Sequence, residues 1–204
     1  MALERLRNAD PVMARLIDRF GDPDGVLARR GPRPGDAYGA LVRSIVGQQL
    51  SAAAARTIFE RLLALFGGRT PTPRELLGTD PEELRRVGMS RSKVAFLRDL
   101  AEHVEDGELR LDDLAELPDE EVSEQLTAIK GLGPWTVHMF LIFHLGRPDV
   151  LPVGDLGIRR AVQAEYGLEE LPAPGELERI ADAWRPHRSL ACLYLWRSLD
   201  QRVP

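Results

Sequence analysis

Cysteine is almost absent from this chain: Cys192 is the one cysteine in 204 residues. That excludes an internal disulfide and an iron–sulfur cluster held by four cysteines. A reducing cytoplasm is the compartment expected. Long apolar runs are absent too, so no membrane span and no membrane partner are expected. The opening stretch MALERLRNADPV lacks the apolar core of a signal peptide. Positive charge is in short supply: 27 Lys and Arg against 32 Asp and Glu give a net charge of −5. Bulk attraction to a polyanion is thereby excluded, and any contact with nucleic acid must use a local patch or backbone N–H groups. The histidines (His103, His138, His144 and His187) lack ligand spacing with acids or with Cys192. No catalytic zinc and no cofactor are expected; His138 and His144 are read as packing or hydrogen-bonding residues. Alternating strand patterns, low-complexity segments and fixed-period repeats are missing as well.

What is present reads as helix throughout. Asp10-Pro11 is a cap followed by proline at the first helical position, and Val12, Leu16, Ile17 and Phe20 form one apolar face. Gly21 to Gly35, rich in Gly, Pro and Arg, reads as a loop. Tyr38, Leu41, Val42 and Ile45 repeat at helical spacing up to Gly47. Ser51 then caps a helix from Ala52 to Phe66. Further helices are predicted from Asp80-Pro81 to Gly88, from Ser90 through Leu100, from Pro118-Asp119 to Ile129, and from Trp135 to Leu145. The last three lie near Leu156–Tyr166, Gly175–Trp184 and Ser189–Leu199. The expected fold class is all-α, with about ten helices. Cys192, on an apolar helix, reads as a small buried hydrophobe. The Asp119-Glu120-Glu121 run suits a helix N-terminus.

Four segments can carry chemistry, and each also has a plain structural reading. In Ile129-Lys130-Gly131-Leu132-Gly133-Pro134-Trp135-Thr136, two glycines between helices permit a tight hairpin. It is either a simple helix–helix turn or a phosphate grip built from the next helix's first N–H groups. In Leu151-Pro152-Val153-Gly154-Asp155-Leu156-Gly157-Ile158, an aspartate sits between glycines before a helix. Asp155 is either a helix N-cap or a carboxylate able to oppose a positive sugar. Ser44-Ile45-Val46-Gly47-Gln48-Gln49-Leu50-Ser51 is a polar turn, or a wedge pushed into a duplex in place of an extruded base. Trp184 and Trp196, in the last segments, are core residues or faces for a ligand.

Taken together, in this order, the segments resemble the 3-methyladenine DNA glycosylase II family of the helix-hairpin-helix DNA glycosylase superfamily. The resemblance covers roughly Tyr38 to Trp196 and includes Leu84-Arg85-Arg86-Val87-Gly88-Met89-Ser90 with Lys93. It carries a glycine hairpin followed about twenty residues later by a glycine-flanked Asp, with a Gly-Gln-Gln turn upstream. The resemblance implies two helical lobes with a DNA-binding cleft: a central lobe over 36–146, ending in the helix-hairpin-helix, and a second lobe from 1–35 plus 147–204. A β-rich N-terminal domain found in some members is not expected here.

Carried over residue by residue, the resemblance assigns Asp155 as the catalytic carboxylate. Trp135, Met139 and Trp196 become base-pocket positions; Met139 departs from the aromatic residue of some members. Gln49 becomes the wedge, with Leu50 and Ser51 beside it, and Gly131, Gly133 and Thr136 become DNA-binding positions of the hairpin. A monovalent cation at the carbonyls of Ile129 and Leu132 is a further implied possibility, with no catalytic metal. The implied activity is hydrolytic removal of alkylated purines by base flipping, leaving an abasic site. A strand-cutting lysine is not expected, because its position after the second hairpin glycine holds Trp135, and Lys130 precedes the glycines. The expected partner is double-stranded DNA containing damaged bases, bound by a monomer (at the nucleoid, if the host is bacterial). The rivals are a glycosylase for oxidised or deaminated bases, and a non-enzymatic DNA-binding module.

Overall fold

The computed structural model describes residues 1–21 and 35–200. The predicted loop Gly21–Gly35 falls, apart from its ends, outside them. Among the described residues there are twelve α-helices and two short 3-10 turns, with no strand. In chain order the helices are α1 (Ala2–Ala9), α2 (Pro11–Phe20), α3 (Ala37–Gly47), α4 (Ala52–Leu65), α5 (Pro73–Gly78) and α6 (Pro81–Arg86). There follow α7 (Arg91–Glu105), α8 (Asp119–Thr127), α9 (Pro134–Phe143), α10 (Leu156–Tyr166), α11 (Pro174–Ala181) and α12 (Arg188–Asp200). The 3-10 turns are Leu111–Asp113 and Asp182–Trp184. No helix among the described residues is long and apolar enough to cross a membrane.

Two helices were not visible in the sequence pattern. α1 buries Leu6 alone, so no apolar period marks it. α5 has six residues and buries only Leu76; what starts it is local, a Thr72–Glu75 capping box followed by Pro73. Two expected extents are corrected. The helix predicted to reach Ile129 stops at Thr127, where the hairpin turn begins. The helix predicted over Gly175–Trp184 is α11 plus the 3-10 turn Asp182–Trp184.

The chain divides into two compact units, Met1–Pro32 with Leu141–Pro204, and Arg33–Phe140. The division falls inside α9. In the first unit, Met13, Leu16 and Ile17 of α2 share a buried core with Ile158 and Val162 of α10, Leu177 of α11, Trp184, and Tyr194 and Leu195 of α12. Each such side chain contributes about 1.5–3 kcal/mol on leaving water. Asp10 is buried in this unit but satisfied. One carboxylate oxygen caps α2 by accepting from the Val12 and Met13 N–H groups at 2.7 and 3.2 Å. The other accepts from the Trp184 indole at 2.9 Å and from the Tyr166 hydroxyl. Cys192 is fully buried, as expected, and burial pushes its thiol pKa up.

In the second unit, Leu41, Val42 and Ile45 of α3, Leu76 of α5, Leu84 of α6, Leu97 and Leu100 of α7, and Val122 and Leu126 of α8 are wholly buried. Ser90 caps α7 by accepting from the Lys93 N–H at 3.2 Å, and Asp80 caps α6. α7 is the longest helix of the unit, at 15 residues, and it underlies both turns described next.

Candidate functional site

The carboxylate of Asp155 belongs to the first unit. Asp155 has extended backbone (φ −73°, ψ 115°) and is the N-cap of α10. Its Oδ1 accepts from the Ile158 N–H at 2.7 Å and from the Trp196 indole Nε1–H at 3.0 Å. The side chain is thus oriented by its own helix and by α12, and the residue is 8% exposed. The capping reading of this aspartate is therefore correct, and it is compatible with chemistry. A helix N-terminus is a favourable place for negative charge, so capping and a catalytic role do not compete at this position. Gly157 supplies the space. A Cβ there would lie 2.9 Å from Asp155 Oδ1 and 3.3 Å from Trp196 Cδ1, so any side chain would push into that hydrogen bond.

The loop leading to Asp155 is fastened to α12. Asp149 accepts from the Arg188 Nε at 2.8 Å and from Arg185 at 3.0 Å. The Ser189 hydroxyl donates to the Arg147 carbonyl at 2.7 Å and accepts from the Val150 N–H at 3.0 Å. Burial opposes ionisation of Asp149, but the hydrogen bonds and charges of Arg188 and Arg185 hold its carboxyl below the usual range. Trp196 is half-buried and its ring lies 5.7 Å, centroid to centroid, from Phe143. Leu156, next to Asp155, is 46% exposed.

The second unit carries the two turns. At Gly47–Leu50 the Leu50 N–H donates to the Gly47 carbonyl at 3.3 Å. Gln48 takes φ −54°, ψ 134°, and Gln49 takes φ +57°. This is a turn of type II character, in which the position of Gln49 favours glycine. Gln49 is the one non-glycine residue with left-handed backbone among the described residues, and it is exposed, as is Leu50. Ser51 caps α4 by accepting from the Ala54 N–H at 3.3 Å.

At the hairpin the two glycines differ. Gly131 has φ +85°, and a Cβ there would lie 2.2 Å from the Phe96 ring. Gly133 would present its Cβ to open space. The Gly133 carbonyl accepts from the Val137 N–H at 3.1 Å, so Gly133 is the cap of α9 and brings no side-chain acceptor of its own. Ile129 and Leu132 are buried, and the Leu132 N–H donates to the Ile129 carbonyl at 3.1 Å. Thr136 is buried, Trp135 is 48% exposed, and Met139 is half-buried one turn further along α9.

Three side-chain contacts are not foreshadowed by the sequence, although Gln48 and Lys93 lie in segments already singled out. The Gln48 Nε2 donates to the Gly131 carbonyl at 2.7 Å, tying one turn to the other. The Lys93 Nζ donates to the Val46 carbonyl at the end of α3, at 2.8 Å. Asp99 accepts from both the backbone N–H and the ammonium of Lys130, at 2.8 and 2.7 Å. Burial works against ionisation of Asp99, yet Lys130 holds its carboxyl below the usual range and is itself raised. Polar residues on a helix carry no pattern that announces a partner some thirty or more residues away.

The profile described as HhH-GPD superfamily base excision DNA repair protein matches residues 42–186. The chain is 33% identical over 166 residues to the putative DNA-3-methyladenine glycosylase YfjP of Bacillus subtilis, covering 78% of this chain and 58% of that one. It therefore spans little more than half of that relative. It is 38% identical over 160 residues to DNA-3-methyladenine glycosylase 1 of Schizosaccharomyces pombe, covering 78% and 70%. Among solved structures, the 3-methyladenine DNA glycosylase Mag1 of the same yeast, in complex with abasic DNA, superposes with a TM-score of 0.88 at 33% identity, over 98% of this chain and 96% of that one.

Proposed function

Because the chain belongs to the HhH-GPD superfamily of base excision DNA repair proteins, we propose that it is a monofunctional DNA glycosylase that hydrolyses the N-glycosidic bond of alkylated purines and leaves an abasic site. The observation that carries this reading is the held carboxylate of Asp155, anchored through Oδ1 by Ile158 N–H and Trp196 Nε1. As the glycosidic bond stretches, the sugar becomes an oxocarbenium ion. A carboxylate fixed in advance stabilises that charge without reorganising, and it can orient or deprotonate the attacking water.

A base inside a duplex is out of reach and must be flipped out first. Gln49 is read as the side chain that fills the gap, with Leu50 and Ser51 alongside. The hairpin residues Gly131, Gly133 and Thr136 are read as the grip on a nearby phosphate. Gly133 supports that role, since among the described residues nothing lies within 4 Å of a Cβ placed there. A monovalent cation at the carbonyls of Ile129 and Leu132 fits the chemistry, because a carbonyl that already accepts one hydrogen bond keeps a second lone pair. Trp135, Met139 and Trp196 are read as the apolar faces offered to the base.

The test is product analysis on a duplex carrying 7-methylguanine. The expected product is free base plus an intact strand that breaks only on alkali treatment, since Trp135 stands where a strand-cutting lysine would. A covalent protein–DNA adduct trapped by borohydride would overturn the monofunctional assignment. DNA binding with no base release would leave only a binding module.

A further inference from the structure

The wedge turn and the hairpin are not independent loops. Both rest on one face of α7, where Lys93, Phe96 and Asp99 recur at every third position, the spacing that keeps side chains neighbours on a helix. Lys93 holds the wedge side through the Val46 carbonyl at 2.8 Å. Phe96 lies under Gly131 so closely that a Cβ there would sit 2.2 Å from the ring. Asp99 holds Lys130 by both its backbone N–H and its ammonium. Above this base, a direct link joins the two turns: the half-buried Gln48 side chain, whose Nε2 reaches the Gly131 carbonyl at 2.7 Å. The Thr136 hydroxyl lies 3.5 Å from the same nitrogen.

Gln48 is also the residue immediately before Gln49, whose φ of +57° costs energy that the surroundings must sustain. An open turn would relax that backbone and lose the direction of the exposed side chain. We propose that Gln48 is a positioning residue for base extrusion. It bolts the wedge turn to the hairpin, so that the side chain entering the stack and the backbone gripping the phosphate keep a fixed spacing before DNA arrives. Pre-setting the geometry in this way removes an ordering cost from the extrusion step. The proposal rests on the reading of Gln49 as the wedge and of the hairpin as the phosphate grip.

The experiment uses the whole chain and the variants Gln48→Met, which keeps length and removes the donor, and Gln48→Glu, which sets a carboxylate against the Gly131 carbonyl. Single-turnover excision of 7-methylguanine is measured in an intact duplex and in a duplex with a gap opposite the lesion, where nothing need be displaced. The loss of one neutral hydrogen bond should slow the intact duplex by about three- to tenfold for Gln48→Met. The gapped substrate should change by less than about twofold, within the spread of a distant surface substitution. Gln48→Glu should be slower still on the intact duplex, and should recover relative to wild type as the pH falls and its carboxyl regains a proton to donate. 2-Aminopurine placed beside the lesion reports unstacking on binding, and both variants should give a weaker signal than wild type. Equal slowing on both substrates, or unaltered unstacking, overturns the proposal and leaves Gln48 a fold contact. If wild type releases no base at all, the glycosylase reading fails, and the unstacking signal alone then decides the role of Gln48.

Discussion

In the proposed mechanism Asp155 is one side chain that serves the fold and the chemistry together. It caps α10 and is bonded by the Trp196 indole, both through Oδ1. Asparagine caps a helix about as well as aspartate, and its amide oxygen can accept the same two hydrogen bonds. Asp155→Asn therefore separates the two roles. Stability should change by no more than about 1 kcal/mol, because both of those bonds are kept and lose their charge assistance. The excision rate should fall by about a hundredfold or more, the usual cost of deleting a pre-set electrostatic partner of a transition state. Affinity for DNA should be nearly unaltered. Thermal melting, a binding titration and single-turnover kinetics on one preparation check all three, and excision at the wild-type rate would remove Asp155 from the mechanism.

At the scale of elements, the two turns of the second unit make opposite demands on their residues. Gln49 sits where glycine is favoured, so Gln49→Gly should raise stability by about 1 kcal/mol through relief of the left-handed backbone. The same change should slow excision from intact duplex, because the side chain is gone. A thermal shift downward for Gln49→Gly would contradict the strain argument. In the hairpin, Gly131 is demanded by its φ of +85° and by Phe96, whereas Gly133 meets open space. Gly131→Val should therefore damage the fold and DNA binding together. Gly133→Val should leave melting nearly unchanged and weaken DNA binding alike for all sequences, since phosphate contacts position without specifying. A loss confined to one sequence context would exclude the phosphate role. These elements also mark how far the sequence could be read. Helices with caps and an apolar period, such as α2, α3 and α10, were legible. α1 and α5 were not, since each buries a single side chain and period needs repetition. The glycines of the hairpin and the setting of Asp155 were visible as local patterns. The partners of Gln48, Lys93 and Asp99 were not, because a polar side chain's partner is set by how helices pack and not by its neighbours in sequence. The left-handed backbone of Gln49 was equally hidden, as glutamine does not signal a positive φ.

On the scale of the whole molecule, the net charge of −5 means that affinity for DNA must rest on a few well-placed donors, and the proposed function leaves selectivity to the chemistry of the base. That combination bears on which lesions leave first. Removing a neutral damaged base requires a general acid to protonate it or a set of polar groups to read its edges. The residues that the proposal offers to the base are Trp135, Met139 and Trp196, two aromatic side chains and a thioether. His138, the histidine between Trp135 and Met139, has its pKa lowered by burial, with Asp119 opposing, and so is largely uncharged at neutral pH and poorly suited to give up a proton. An alkylated purine such as 3-methyladenine or 7-methylguanine already carries its positive charge, so its bond to the sugar is weak without protonation. Aromatic faces attract such a cation by about 0.5 to 2 kcal/mol each, depending on how far it is desolvated. One carboxylate then suffices for the remaining barrier. On otherwise identical duplexes, 3-methyladenine and 7-methylguanine should be released faster than 8-oxoguanine. The alkylated rates should stay flat as pH falls from 8 to 6, because no added proton is needed. If 8-oxoguanine leaves faster than 7-methylguanine, or if release of the alkylated bases climbs with acidity, the chain uses an acid that these residues do not supply, and a glycosylase for oxidised bases becomes the better reading.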